Sequence, residues 1–95
     1  MHYCITYDIS SDRTRLRVIK MLKQAGLIRV QKSVFMGISP PHMIHDLKQN
    51  TTQLLLKTDK FCIIPLDKNS WGSLQLLGLN PSKMAISRGE MAKFY

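Results

Sequence analysis

The stretch Y-C-I-T-Y-D-I-S-S-D-R-T-R-L-R, from Tyr3 to Arg17, constrains this chain more than any other part of it. Its opening run, Tyr3 to Tyr7, is dense in aromatic and β-branched residues and predicts a strand. That strand ends on a single carboxylate, Asp8. Ser10, Ser11 and Asp12 are helix-start residues in a row. Arg13, Arg15 and Arg17 fall in the first turns of the helix they announce. A buried strand thus delivers one acid to its carboxyl end, and a helix start ringed with guanidinium groups follows at once. The ends of strands and the starts of helices are where α/β-type domains place charged chemistry. An Asp among arginines suits a phosphodiester, because the acid can hold a divalent metal and the arginines can hold phosphate oxygens bidentately.

Alternation places Tyr3, Ile5 and Tyr7 on one strand face and Cys4, Thr6 and Asp8 on the other. Neither face is strongly polar, which predicts a central strand. Helix one is expected from about Asp12 to Ala25, capped by Asp12 or Ser11 and closed by Gly26 at C′. Val18, Ile19, Met21, Leu22 and Ala25 form its apolar face. Arg15 precedes Val18, Ile19 and Leu22 by helical spacings and so lies on the buried side, beside the end of strand one. Arg17, Lys20 and Gln24 point the other way. Arg15 either lays its stem over the core edge or aims at Asp8 or its ligand. Both readings stand.

Leu27 to Ile38 follows. Ile28, Val30, Val34 and Met36 share one parity; Arg29, Gln31, Ser33 and Phe35 share the other. A polar, basic face holding one aromatic is what a nucleic-acid-binding sheet tends to show. An ordinary solvent face, with Phe35 filling a dimer contact, fits the same pattern. No Gly or Pro marks a hairpin, so the residues read as one long strand bent near Lys32. Helix two is expected from Ser39-Pro40, an N-cap and a first-turn Pro, to about Lys57, with Ile44, Leu47, Thr51, Leu54 and Leu55 inward. His42, His45 and Asp46 lie on neighbouring turns, and without a further ligand they read as solvated surface rather than a metal site. Phe61 to Leu66 is an apolar strand, Asp67 to Ser70 a turn, and Trp71 to Leu77 a short strand ended by Gly78, Asn80 and Pro81. The tail from Lys83 to Tyr95 carries Met84, Ile86, Met91, Phe94 and Tyr95, so residues 79–95 are expected to form an extension that docks on this sheet or a second subunit's.

The order β-α-β(β)-α-β with a final short strand is that of an α+β, ferredoxin-like (split β-α-β) sandwich, one sheet with two helices on one face. A chain of 95 residues makes a single domain with a modest core, and a dimer interface would help it. Its net charge of +8 points to a polyanionic partner, nucleic acid. No apolar run approaches the ~20 residues needed to span a bilayer. The start, Met1 to Cys4, lacks the form of a signal peptide, so a cytoplasmic protein is expected. Cys4 and Cys62 read as reduced, small core hydrophobes inside strands.

Gly-rich phosphate loops, nucleophile elbows and Cys/His metal clusters are absent from the sequence. Six acids in all leave little for a multi-carboxylate nuclease centre. Only Asp8 stands in a convincing site, and a twofold axis pairing two copies of it would correct that shortage.

Y-D-I-S after the first strand, the arginines of D-R-T-R-L-R, and G-L-I-R-V-Q-K-S-V-F-M-G-I resemble the CRISPR-associated protein two family, the small subunit of spacer acquisition. The resemblance runs from residue 1 to about 66, including Ile63 to Leu66, and is loose beyond. It implies a ferredoxin-like homodimer whose C-terminal strand joins the partner's sheet, and a division between two strands near Lys32. It implies magnesium or manganese held by Asp8 from each subunit, with Tyr7 and Asp8 at the catalytic strand end. Arg15, Arg17, Arg29 and Phe35 fall at positions linked to substrate handling, with Arg13 beside them. The implied activity is metal-dependent endonuclease action on RNA or double-stranded DNA. The alternative is a non-catalytic scaffold that grips DNA for the CRISPR integrase subunit.

Overall fold

Strand β1 (His2–Asp8) sits inside the sheet, as its two apolar faces require. A computed structural model describes residues 1–78 of the chain, and the expected extension, residues 79–95, lies outside the described residues. After β1 come α1 (Asp12–Gln24), β2 (Ile28–Gln31), β3 (Val34–Ile38), α2 (Pro41–Leu54), β4 (Lys60–Leu66) and α3 (Lys68–Ser73). The sheet order is β2-β3-β1-β4, with every neighbour antiparallel. The architecture is α+β, and its first six elements run β-α-β-β-α-β as expected.

The helix-side core gathers Tyr3, Ile5 and Tyr7 of β1 with Val18 and Leu22 of α1, Ile44 and Leu47 of α2, and Phe35 of β3. The expected helical faces are thus borne out, and Thr51 is buried with them. Ser11 caps α1, its hydroxyl accepting from the Thr14 N–H at 3.3 Å, while Asp12 occupies the first turn. Gly26 follows at φ 89°, the left-handed conformation that glycine adopts freely.

Several expectations are corrected. Leu27 to Ile38 is a hairpin of two strands turning at Lys32 and Ser33, as the family resemblance implied and not the one bent strand that the residues alone suggested. Ser33 adopts the left-handed φ of 63° without being glycine. Its carbonyl takes the Tyr7 N–H at 3.2 Å, which holds the turn against β1. The expected parity of Ile28, Val30, Val34 and Met36 holds, all on the face away from α1 and α2, with Phe35 buried on the helix side; a bulge between Arg29 and Gln31 shifts the register and sets only Gln31 opposite Val34. Phe35 therefore belongs to the core beneath the helices, not to an open basic face. Gly37 lets β3 pass close to the 26–27 backbone; a Cβ there would meet the Gly26 carbonyl at 3.2 Å.

Ser39 does not cap α2. Pro40 holds that position, and the buried Ser39 hydroxyl donates to the Ala25 carbonyl at 2.8 Å, satisfying the end of α1 instead. Helix α2 stops at Leu54, short of Lys57, because the next residues turn under Asp59, whose carboxylate accepts the Leu56 N–H at 2.9 Å. Trp71 to Leu77 is not a strand. Asp67 accepts the Ser70 N–H at 2.7 Å and so caps α3, which carries Trp71 over the sheet face opposite α1 and α2. There Trp71 is fully buried against Cys4, Val30 and Met36, with the His2 ring 4.5 Å away. Cys4 is buried as expected, whereas Cys62 is exposed, because its strand lies at the sheet edge and its side chain faces away from the helices.

Candidate active site at the end of β1

Asp8 is the last residue of β1 and is exposed. Alternation puts it with Cys4 and Thr6 on the face away from α1 and α2. Lys60, the first residue of β4, stands opposite it in the ladder, and Cys62 stands opposite Thr6. A cleft of about 310 Å³ opens at this point, lined by Thr6, Tyr7, Asp8, Lys60, Phe61 and Cys62. Among the described residues the one ion pair joins Arg15 to Asp12, so Asp8 is paired with neither Lys60 nor an arginine.

The arginines do not ring Asp8. The half-buried Arg15 donates from Nη1 to the Ile9 carbonyl at 3.0 Å and from Nη2 to the Asp12 carboxylate. It is tied to the loop after β1 and to its own helix, not to Asp8. Arg13 and Arg17 are exposed on α1, and Arg29 is exposed on β2. Tyr7 points to the helix side, buried, with the Phe35 ring centroid 6.2 Å from its own. Burial pushes the Tyr7 phenol up, against the opposing pull of the Arg29 and Arg15 charges. The hydroxyl therefore keeps its proton at neutral pH. Burial, and then the Cys62 thiol, likewise push Cys4 up, which leaves it an inert core thiol. The strand end thus separates two groups. Tyr7, Phe35, Arg15 and Arg29 gather on the helix side; Asp8, Thr6, Lys60 and Cys62 gather on the other.

No three His, Cys, Asp or Glu side chains converge on a metal-holding point among the described residues. His42, His45 and Asp46 are exposed along α2 and form no such group. Among the described residues Asp8 is the one carboxylate lining this cleft. A hard divalent ion takes several oxygen ligands, so one held by Asp8 would need further oxygens from beyond this side chain.

Sequence reasoning missed Lys60, Cys62 and Asp59. The signal was available for Lys60: an antiparallel neighbour of β1 must begin where β1 ends. Asp59 accepts the Leu56 N–H at 2.9 Å, and the Ser10 N–H and hydroxyl at 3.2 Å each. Those bonds, the Leu56 N–H foremost, hold its carboxyl below the usual carboxylate range, and the Ser70 N–H does the same for Asp67. Both groups bind protons less readily folded than unfolded. Their contribution is complete above the unfolded value of about 3.9 and is lost as pH falls through the lower native values. The melting temperature should hold above about pH 5 and fall steeply below about pH 4. The double variant Asp59→Asn, Asp67→Asn should flatten that acid limb in thermal melts; an unchanged limb would contradict this assignment.

Residues 1–74 match the family described as CRISPR associated protein Cas2. The chain belongs to this family. A Cas2 relative from Thermus thermophilus, a CRISPR-associated endonuclease, is 34% identical over 80 residues, 83% of either chain. One from Pyrobaculum aerophilum, a CRISPR-associated endoribonuclease, is 37% identical over 54 residues, 57% of this chain and 59% of that one. The chain thus spans about three fifths of that Cas2 relative's length. A CRISPR-associated Cas1/Cas2 fusion endonuclease of Thermoproteus tenax is 33% identical over 49 residues, 52% of this chain and 19% of the fusion. The crystal structure of a hypothetical protein from Thermus thermophilus superposes with a TM-score of 0.70 at 33% identity, covering 84% of this chain and 93% of that one. No helix among the described residues is long and apolar enough to cross a membrane.

Proposed function

We propose that this Cas2 chain is a magnesium- or manganese-dependent endonuclease of CRISPR spacer acquisition, working in the cytoplasm on RNA or double-stranded DNA. It acts as a ferredoxin-like homodimer in which a twofold axis brings two Asp8 carboxylates together. The observation that carries the reading is the exposed Asp8, presented by a rigid strand end onto the face away from the helices. Ile28, Ile38 and Ile64 are 48%, 42% and 38% exposed on that same face, which supports a second sheet packing there. The endonuclease and endoribonuclease names of the relatives support the reaction class.

Each residue then has a role its surroundings permit. Two Asp8 carboxylates at close range would repel unless a cation lies between them. A bound divalent ion would supply an acidified water and would offset charge on the leaving oxygen. Arg13 and Arg17, exposed on α1, and Arg29, exposed on β2, hold phosphate oxygens. Arg15 fixes the loop that follows Asp8. Tyr7 keeps its proton as a donor, and Phe35 supports its ring from within the core.

The second reading is a non-catalytic scaffold gripping DNA for an integrase subunit. That no three potential ligands converge at Asp8 among the described residues favours it, as does the fusion of Cas1 to Cas2 in the Thermoproteus tenax relative. Purified protein incubated with RNA and with duplex DNA separates the two. The nuclease reading expects cleavage with magnesium and none with a chelator. The scaffold reading expects no cleavage in either, with binding that weakens at a log–log salt slope of about −0.9 per phosphate contact on duplex DNA.

A further inference from the structure

Past Asp8 and Lys60 the β1–β4 ladder ends, yet the two chains stay together for one more step. Asp59 holds them. Its Oδ1 accepts both the Ser10 N–H and the Ser10 hydroxyl, at 3.2 Å each. Its Oδ2 accepts the Leu56 N–H at 2.9 Å, and its own N–H donates to the Leu56 carbonyl at 3.0 Å. The side chain therefore closes the α2–β4 turn with one oxygen and grips the β1–α1 loop with the other. Ser10 lies two residues beyond Asp8, and Asp59 immediately precedes Lys60, which lines the same cleft as Asp8. Arg15 holds the neighbouring Ile9 carbonyl from the helix side, so this loop is fixed from two directions.

We infer that Asp59 is a positioning residue for Asp8: it fixes the loop that sets where the Asp8 carboxylate stands relative to Lys60 and to the start of α1. This rests on the reading of Asp8 as the metal-holding group. A carboxylate accepting three hydrogen bonds is a rigid tether, and supports of this kind set the geometry of the groups that bind metal and substrate. No other described side chain bridges the two loops by a hydrogen bond.

The test compares wild type, Asp59→Ala and Asp59→Asn, measured well below their melting temperatures. Asp59→Ala should speed amide exchange at Ser10 and move the Asp8 carboxyl resonance in NMR. It should lower kcat for magnesium-dependent cleavage about tenfold or more, with KM nearly unchanged, because a small misplacement of a reacting group weighs on the chemical step. Asp59→Asn keeps an acceptor oxygen and should recover part of each effect. Unchanged Ser10 exchange and Asp8 resonance in Asp59→Ala would overturn the inference whatever the kinetics. So would a loosened loop with wild-type kcat, which would leave Asp59 a purely structural group. If the wild type cleaves nothing, the nuclease reading falls, and the Asp8 resonance alone then decides whether Asp59 positions it.

Discussion

Replacing Trp71 by alanine should cost about 3–5 kcal/mol and lower the melting temperature by roughly 12–40 °C. Trp71 is fully buried and is the largest side chain over the sheet face opposite α1 and α2. Cys4, Val30 and Met36 are buried around it, and Val34, Leu66, Leu74 and Leu76 pack against this cluster. Removing the indole leaves a cavity that the short helix α3 cannot close, since Gly72 beside it has no side chain to offer. Marginal stability makes the loss decisive, because a small domain has only about 5–15 kcal/mol in total. Trp71→Phe should retain most of the packing and lose far less. Thermal denaturation of the two variants checks this. A shift of less than about 5 °C for Trp71→Ala would mean that the Cys4, Val30 and Met36 cluster is not sealed by α3.

The elements with a strong local signal were legible. β1 and α1 follow from a β-branched run, a serine cap and a glycine stop, and each lies within a residue of its expected bounds. The turn residues alone did not announce the hairpin, because Ser33 takes a left-handed φ where a glycine would have marked it; its division near Lys32 came only from the family resemblance. Alternation did set Val30 and Phe35 on opposite faces, but the bulge after Arg29 places Gln31 opposite Val34, and simple alternation cannot foresee an extra residue. Trp71 was misplaced because a capped single turn and a short apolar strand look alike in so few residues. Of the candidate site, Asp8 was found where a strand end must place it. The partition of charges around it was not, because the Arg15 bonds to Ile9 and Asp12 depend on the backbone path between β1 and α1. Asp59 escaped for the same reason: its partner Ser10 is remote in sequence and close only once β4 lies beside β1.

Asp8→Asn should abolish magnesium-dependent cleavage while leaving the fold intact. Asn keeps the shape and polarity of Asp but removes the charge that would hold a divalent ion. Asp8 is exposed and makes no ion pair among the described residues, so the substitution breaks no structural contact of that kind. Nucleic-acid affinity should stay close to wild type, because the phosphate contacts are proposed for the exposed arginines, not for Asp8. The most direct measurement is cleavage of defined RNA and double-stranded DNA by purified wild type and Asp8→Asn, side by side, with magnesium present. Cleavage by the wild type and none by Asp8→Asn, at equal affinity and equal melting temperature, is the predicted result. Undiminished magnesium-dependent cleavage by Asp8→Asn would place the metal site elsewhere and contradict the account.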